Sequence, residues 1–181
     1  MTCIAGIVEE GKIYMGADSC VTIGNIIAIK RYPKIWQKSN MLFGTSGSCR
    51  TTDLLKFSLT IPKHPSDIDD ITYITTLLLN DVQKCLIDGI ESSTTTNGVA
   101  ETNNSVALVG YNGNLYEIDP DYSIMTVKDN YMAIGCGKDL ALGSLHTSTG
   151  NRNPLERLKM ALEAAAYFSW GVEPPFDYLT L

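Results

Sequence analysis

Residues 2–18, TCIAGIVEEGKIYMGAD, decide the fold of this chain. Residues 2–8 are apolar and rich in side chains that favour strands, and Glu9-Glu10-Gly11 is a turn signal. In residues 12–18 apolar side chains recur with a period of two, which is typical of a strand with one buried face. The segment therefore predicts a β-hairpin whose first strand starts at the second residue of the chain.

The elements predicted after this hairpin are grouped by type and do not alternate. Further strands are predicted at residues 26–29, 34–36, 40–45, 105–111, 115–118, 123–127, 131–134 and 176–181. Helices are predicted at residues 51–58, from Ser66 to Gly89, at residues 138–145 and from Pro154 onward. The polar residues 91–102 are predicted to form a loop. Because strands and helices are segregated, we expect an α+β protein with two antiparallel sheets, stacked face to face and covered by helix pairs.

Two of the predicted helices carry apolar stripes. The stripe of the second helix consists of Ile71, Ile74, Leu78, Val82 and Cys85. The stripe of the fourth helix consists of Leu155, Leu158, Leu162 and Ala165. Asn153 as cap, Pro154 at the first helical position and Glu156 as the partner in a capping box mark the start of the fourth helix.

Length and composition limit the classes of protein to which this chain can belong. A chain of 181 residues predicts one domain spanning residues 1–181, large enough to form a core without a disulfide or a metal. The net charge of −6 argues against nucleic-acid binding, and no apolar run is long enough to span a membrane. The five cysteines form no CxxC pair, which predicts free thiols in a reducing cytoplasm. The two histidines have no partner at metal-ligand spacing, so neither a metal nor a cofactor is predicted.

Thr2 is the strongest candidate for chemistry. Methionine aminopeptidase removes Met1 when the next residue is small, and the new terminus would then carry a hydroxyl and a free α-amine on adjacent carbons. An α-amine has a pKa of about 7.7–8.0, so this one residue would supply both a nucleophile and a general base. Such a site also needs a lysine near the hydroxyl, a carboxylate to hold that lysine, and backbone N–H donors for an oxyanion.

Further motifs accompany Thr2 along the chain: residues 2–8, GKIYMGADS at 11–19, Gly24-Asn25, Pro33-Lys34-Ile35, TSGS at 45–48 and AIGCG at 133–137. Together these segments resemble the proteasome β-subunit class of N-terminal-nucleophile (Ntn) hydrolases and, within it, HslV-like peptidases. The spacing also agrees with the family, since Asp18 lies 16 positions after Thr2 and Lys34 lies a further 16 positions on. The resemblance implies a four-layer αββα sandwich.

The resemblance also implies a role for each matched residue. Thr2 Oγ would attack a peptide carbonyl, the Thr2 amine would carry the proton, Lys34 would favour deprotonation, and Asp18 would orient Lys34. The N–H of Gly47 would stabilise the oxyanion. Cys136 stands where the family usually has a serine, which would alter proton handling near the amine.

The closing motif of the family, Asp-x-x-Ser-Gly-Gly, is not reproduced in residues 167–175. Ser169 and Gly171 are present, but Trp170 and Pro174-Pro175 are foreign to the motif, so the sequence assigns no role there.

Three functions follow from these patterns. The first is a threonine peptidase that assembles into homo-oligomeric rings and cuts polypeptides fed by an AAA+ unfoldase, where the ring and the unfoldase are implied by the resemblance alone. The second is a catalytically inactive ring subunit with a structural or binding role. The third is an Ntn amidase that acts on small amides.

Overall fold

The computed structural model describes residues 1–23, 26–89, 103–150 and 152–181. The Gly24-Asn25 turn and the loop predicted at residues 91–102 lie outside the described residues. Across the described part of the chain, no helix has the length and apolar character that a membrane span requires.

The strands of the described residues are β1 (Cys3–Glu9), β2 (Lys12–Ala17), β3 (Cys20–Ile23), β4 (Ile26–Ile29), β5 (Ile35–Lys38), β6 (Met41–Ser46), β7 (Val106–Tyr111), β8 (Asn114–Ile118), β9 (Ile124–Met125), β10 (Tyr131–Gly135) and β11 (Asp177–Thr180). The helices are α1 (Cys49–Asp53), α2 (Asp70–Thr72), α3 (Leu79–Asp88), α4 (Lys138–Thr147) and α5 (Pro154–Phe168). A π-helical segment at Leu54–Ser58 extends α1, and another at Tyr73–Leu78 joins α2 to α3.

The strands form two main antiparallel sheets and a separate hairpin. The first sheet has the order β10-β1-β2-β11, the second has the order β5-β6-β7-β8-β9, and β3 pairs only with β4. The predicted N-terminal hairpin is confirmed, because β1 pairs with β2 from Ile4 opposite Ala17 to Glu9 opposite Lys12. The other edge of β1 pairs with β10, so β1 is buried between two neighbours in its sheet.

The buried apolar side chains form three clusters, because alternate side chains along each strand point to opposite faces of its sheet. In β1, Cys3, Ala5 and Ile7 pack against α4 and α5, whereas Ile4 points to the opposite face and packs against the second sheet. In β6, Phe43 faces the segment from α1 to α3, and Leu42 faces the first sheet. Consecutive side chains of β1 and β6 are apolar because both faces of each strand are buried. The order of layers is therefore helices, sheet, sheet, helices, which confirms the α+β sandwich.

Two details of the helices differ from the sequence prediction. The second helical region begins at Asp70 and not near Ser66, because Asp69 caps it by accepting a 2.8 Å hydrogen bond from the Thr72 N–H. Ile71 is 42% exposed, so it does not belong to the buried stripe. The start of α5 is as predicted, since Asn153 Oδ1 accepts from the Glu156 N–H at 2.9 Å, but Leu155 is exposed.

Candidate active site

The five residues singled out by the sequence lie at strand ends on one side of the sandwich. Thr2 directly precedes β1, Lys34 directly precedes β5, and Asp18, Gly47 and Cys136 directly follow β2, β6 and β10. Within each sheet these strands are antiparallel neighbours, so the start of one lies beside the end of the next.

Asp18 and Lys34 form a buried ion pair. Lys34 Nζ lies 2.8 Å from Asp18 Oδ1, and the side chains are 6% and 0% exposed. The carboxylate also accepts backbone hydrogen bonds from Cys3 at 2.8 Å and from Cys20 at 2.9 Å. Two buried charges are tolerated only when they neutralise each other and their remaining hydrogen-bonding positions are filled. The pair therefore holds the lysine ammonium in a fixed position beside the start of β1.

The hydroxyl of Thr2 and the ammonium of Lys34 converge on one atom, the carbonyl oxygen of Met1. Thr2 Oγ1 donates to this oxygen at 2.5 Å, and Lys34 Nζ donates to it at 2.8 Å. Thr2 itself is 5% exposed. With Met1 attached, the hydroxyl is covered and the Thr2 nitrogen is an amide, which cannot act as a base.

Cys136 contacts the backbone of Thr2 from the other side. The Thr2 N–H donates to Cys136 Sγ at 3.4 Å, and the thiol lies 3.4 Å from the Thr2 carbonyl oxygen. Ser169 Oγ lies 3.9 Å from the same sulfur. Burial, together with the nearby Asp18 carboxylate, raises the pKa of the neighbouring Cys3 to about 12, so Cys3 is a neutral thiol that packs in the core.

Sequence reasoning assigned no role to residues 167–175, yet this segment reaches the site. Besides Ser169, it brings Gly171 against Met1, and a Cβ on Gly171 would overlap with the Met1 side chain. The backbone N–H of Glu173 lies 3.5 Å from Asp18 Oδ2. Ser169 and Gly171, which match the closing motif, could have indicated that this segment belongs to the site. The residues around them do not match the motif, so the sequence did not indicate it.

Gly47 occupies a tight turn between β6 and α1. Its φ of +121° is a conformation that only glycine adopts easily, and a Cβ there would overlap with the carbonyl oxygen of Asn104. The following Ser48 caps α1 through its hydroxyl, while its own N–H donates to Ser105 Oγ at 2.9 Å. These bonds fix the turn next to the start of β7.

A groove of about 340 Å³ runs beside this turn. It is lined by Ser46, Gly47, Asn104, Ser105, Val106, Glu117, Pro120, Gly135, Cys136 and Lys138. Glu117 is 8% exposed, and burial together with the nearby Asp119 raises its pKa above the ordinary value. The groove therefore joins two of the sequence candidates, Gly47 and Cys136, to a buried carboxylate that sequence reasoning did not identify.

A larger cavity of about 500 Å³ lies at the opposite end of β1, where Val8 and Glu9 line it. The cation buried there, Arg157, already donates to the carbonyl oxygen of Leu145 at 3.0 Å and to Thr149 Oγ1 at 3.2 Å. This arginine thus ties the end of α4 to α5, and the cavity is remote from Thr2.

Gly135→Ala is expected to lower the free energy of unfolding by more than about 2 kcal/mol. The φ of Gly135 is +93°, and the added Cβ would overlap with the carbonyl oxygen of Thr2. Gly143→Ala is the matched control, because nothing lies within 4 Å of a Cβ at that position in α4, and a gain of about 0.5–1 kcal/mol is expected there. Urea unfolding of both variants measures the difference, and equal values would contradict the tight contact at Gly135.

Glu117→Gln is expected to raise the free energy of unfolding more at pH 7 than at pH 4. The raised folded-state pKa means that the folded chain holds its proton above the unfolded value of about 4.3. The stability that the protonated carboxyl contributes is present in full below that value, and it is lost as the pH rises through the folded-state pKa. Glutamine stays neutral at both pH values, so this pH dependence of the free energy of unfolding is absent from the variant.

Urea titrations at the two pH values measure this effect. Glu163→Gln is the control, because the Glu163 side chain is 54% exposed, and a change within about 0.5 kcal/mol is expected at both pH values. Equal gains for Glu117→Gln at pH 4 and pH 7 would contradict the burial of its charge.

The layers and the cluster around Thr2 define a proteasome-like Ntn hydrolase fold. The family model described as proteasome subunit matches residues 1–166, and the chain therefore belongs to the proteasome subunit family. A comparison with curated proteins found no match.

Solved structures with the same fold come from several organisms. The BPH protein of Thiobacillus denitrificans in complex with epoxomicin has a TM-score of 0.81 at 15% identity, covering 99% of this chain and 98% of that one. Eukaryotic HslV from Trypanosoma brucei has a TM-score of 0.70 at 16% identity, covering 99% of each chain. Anbu, an ancestral β-subunit from Yersinia bercovieri, has a TM-score of 0.68 at 16% identity, covering 100% of this chain and 81% of that one. At such identities the likeness shows the fold alone.

Proposed function

We propose that this chain is an N-terminal threonine peptidase whose nucleophile is Thr2 after removal of Met1. The observation that carries the proposal is the convergence of Thr2 Oγ1 and Lys34 Nζ on a single carbonyl oxygen, with Lys34 held by buried Asp18. Removal of Met1 takes away that oxygen and frees the Thr2 amine. A hydroxyl, an amine and a fixed cation then lie together, which is the set that a one-residue nucleophile and base requires.

The proposed reaction has two halves. Thr2 Oγ attacks the carbonyl carbon of the scissile bond, and the hydroxyl proton passes to the Thr2 amine. When the C–N bond breaks, this proton goes to the leaving peptide amine, and the other fragment stays on Thr2 as an ester. Water then adds to the ester carbonyl and gives one proton to the Thr2 amine. The C–O bond breaks, this proton passes to Oγ and restores the hydroxyl, and the acyl fragment leaves as a carboxylic acid.

The remaining site residues support these steps in the proposal. Lys34 favours the deprotonated forms of the hydroxyl and the amine through its charge. The N–H of Gly47 donates to the oxyanion, and loss of one such donor typically costs about 2.7–4 kcal/mol in the barrier. Cys136, which contacts the Thr2 backbone at 3.4 Å, adjusts the position and proton exchange of the amine.

The proposal also covers domain organisation, assembly, location and the delivery of substrates. We infer that residues 1–181 form one domain, that copies assemble into a ring in the cytoplasm, and that an AAA+ unfoldase delivers polypeptide substrates. Membership of the proteasome subunit family supports the ring. Exposed Tyr167, Phe168 and Trp170 support it as well, because apolar side chains grouped on a surface mark association sites.

An inactive subunit is the second candidate function, and one observation favours it. Ala166 stands three residues before Ser169, where the family motif has an aspartate. A chain that lacks this carboxylate and keeps Met1 would retain the fold without turnover.

Two measurements on the purified chain separate these functions. The peptidase predicts an intact mass without Met1 and hydrolysis of internally quenched peptides. Retention of Met1 together with no hydrolysis would contradict the peptidase and support the inactive subunit. Hydrolysis of small amides without peptide hydrolysis would instead support the Ntn amidase.

A further inference from the structure

We propose that Glu117 selects substrates with a basic side chain, arginine or lysine, for the groove beside Thr2. This inference rests on the proposed peptidase function, since it names the substrate class of the same site.

The groove reaches the reacting residue. Gly135 and Cys136 form part of its wall, and both contact the backbone of Thr2, Cys136 through its sulfur at 3.4 Å from the Thr2 nitrogen. Gly47, on the other wall, closes the turn where the oxyanion donor is proposed. A peptide bound across Thr2 would therefore place a side chain in this groove.

Glu117 is a largely buried residue whose carboxylate opens on the groove. Only 8% of the residue is exposed, and among the described residues its carboxylate makes no hydrogen bond and no ion pair. Its strand neighbours are Leu108 in β7 and Met125 in β9, which offer no side-chain donor. Lys138 lines the same groove, and its charge opposes the rise in the pKa of Glu117, but the two side chains form no direct ion pair. A buried charge in this state is costly unless a cation or several donors reach it.

A basic substrate side chain would supply that missing group. The cationic head could pair with Glu117, and its aliphatic stem could pass the polar rim formed by Ser46, Asn104 and Ser105. A guanidinium also offers two parallel donors to one carboxylate. An acidic side chain would meet repulsion from Glu117, and an apolar one would leave the carboxylate unpaired.

The test compares short internally quenched peptides that differ at one position, arginine against leucine, on each side of the scissile bond. For one position the native chain is expected to favour arginine, and Glu117→Gln is expected to reduce the arginine-to-leucine ratio of kcat/KM by roughly 10- to 100-fold. Asp119→Asn is the matched control, because Asp119 is acidic and close to Glu117 but does not line the groove. Lys138→Glu is expected to increase the ratio by adding a second carboxylate to the wall.

A binding measurement separates this inference from the peptidase itself. In the Thr2→Ala background, calorimetry with the same arginine and leucine peptides reports recognition without cleavage. Tighter binding of the arginine peptide that Glu117→Gln abolishes would support the inference even if the native chain hydrolyses nothing. Hydrolysis with an arginine-to-leucine ratio that Glu117→Gln leaves within about twofold would overturn the inference and leave the peptidase intact.

Discussion

Thr2→Ala is expected to abolish peptide hydrolysis, with a loss of at least about 10⁴-fold in kcat. The substitution removes the proposed nucleophile, the Thr2 hydroxyl, which shares the Met1 carbonyl oxygen as hydrogen-bond acceptor with Lys34 Nζ. Alanine is also small enough for Met1 to be removed, so the new terminus would differ only in lacking the hydroxyl and methyl groups on Cβ. Initial rates on a quenched peptide measure the loss.

Two further threonine variants serve as controls. Thr2→Ser keeps the hydroxyl and is expected to retain measurable activity. Thr60→Ala removes an exposed threonine far from β1 in sequence, and it is expected to leave the rate unchanged. Activity of Thr2→Ala close to that of the native chain would show that another group carries the reaction.

Lys34→Met is expected to lower the free energy of unfolding by about 3–5 kcal/mol and to remove activity. The loss arises because Asp18, which is fully buried, would keep its charge without its 2.8 Å partner. Its hydrogen bonds from the N–H groups of Cys3 and Cys20 remain, but they compensate only part of the charge. Urea unfolding measures the stability, and a quenched peptide measures the activity.

Two controls for Lys34→Met are a variant of an exposed lysine and a double variant that removes both buried charges. Lys159 pairs with Glu163 at 3.8 Å, but its side chain is 64% exposed, so Lys159→Met is expected to cost less than about 1 kcal/mol. Combining Lys34→Met with Asp18→Asn removes both buried charges and is expected to recover much of the stability without any activity. If Lys34→Met and Lys159→Met cost the same, the buried pair would not contribute as described.

The strand-end positions of the candidate residues could be read from the sequence. Thr2 and Asp18 flank a hairpin whose alternation is unambiguous, and antiparallel pairing brings the start of β1 next to the end of β2. The same logic places Lys34 and Gly47 together, because β5 and β6 also form a hairpin. Local periodicity and turn chemistry were sufficient here since each pair is close in sequence.

The remaining features depend on contacts between distant parts of the chain. Cys136 meets Thr2 across 134 positions, and the segment from Ser169 to Glu173 returns to the site without a regular pattern. Glu117 occupies an ordinary alternating position in β8, so only the stacking of the sheets reveals that it is buried beside a groove. The sequence predicts an earlier start for this helical region because Asp67, Asp69 and Asp70 lie close together, and only the hydrogen bond from the Thr72 N–H identifies Asp69 as the cap.

Mapping the adduct of a peptide epoxyketone shows directly whether Thr2 is a free N-terminal nucleophile. This reagent has two electrophilic centres, so a hydroxyl and an amine on adjacent carbons can both bond to it. We expect one adduct on a chain that lacks Met1, attached through both Oγ and the nitrogen of Thr2, and no adduct on Thr2→Ala. A chain that retains Met1 and stays unlabelled, or that is labelled only on Cys136, would contradict this role of Thr2.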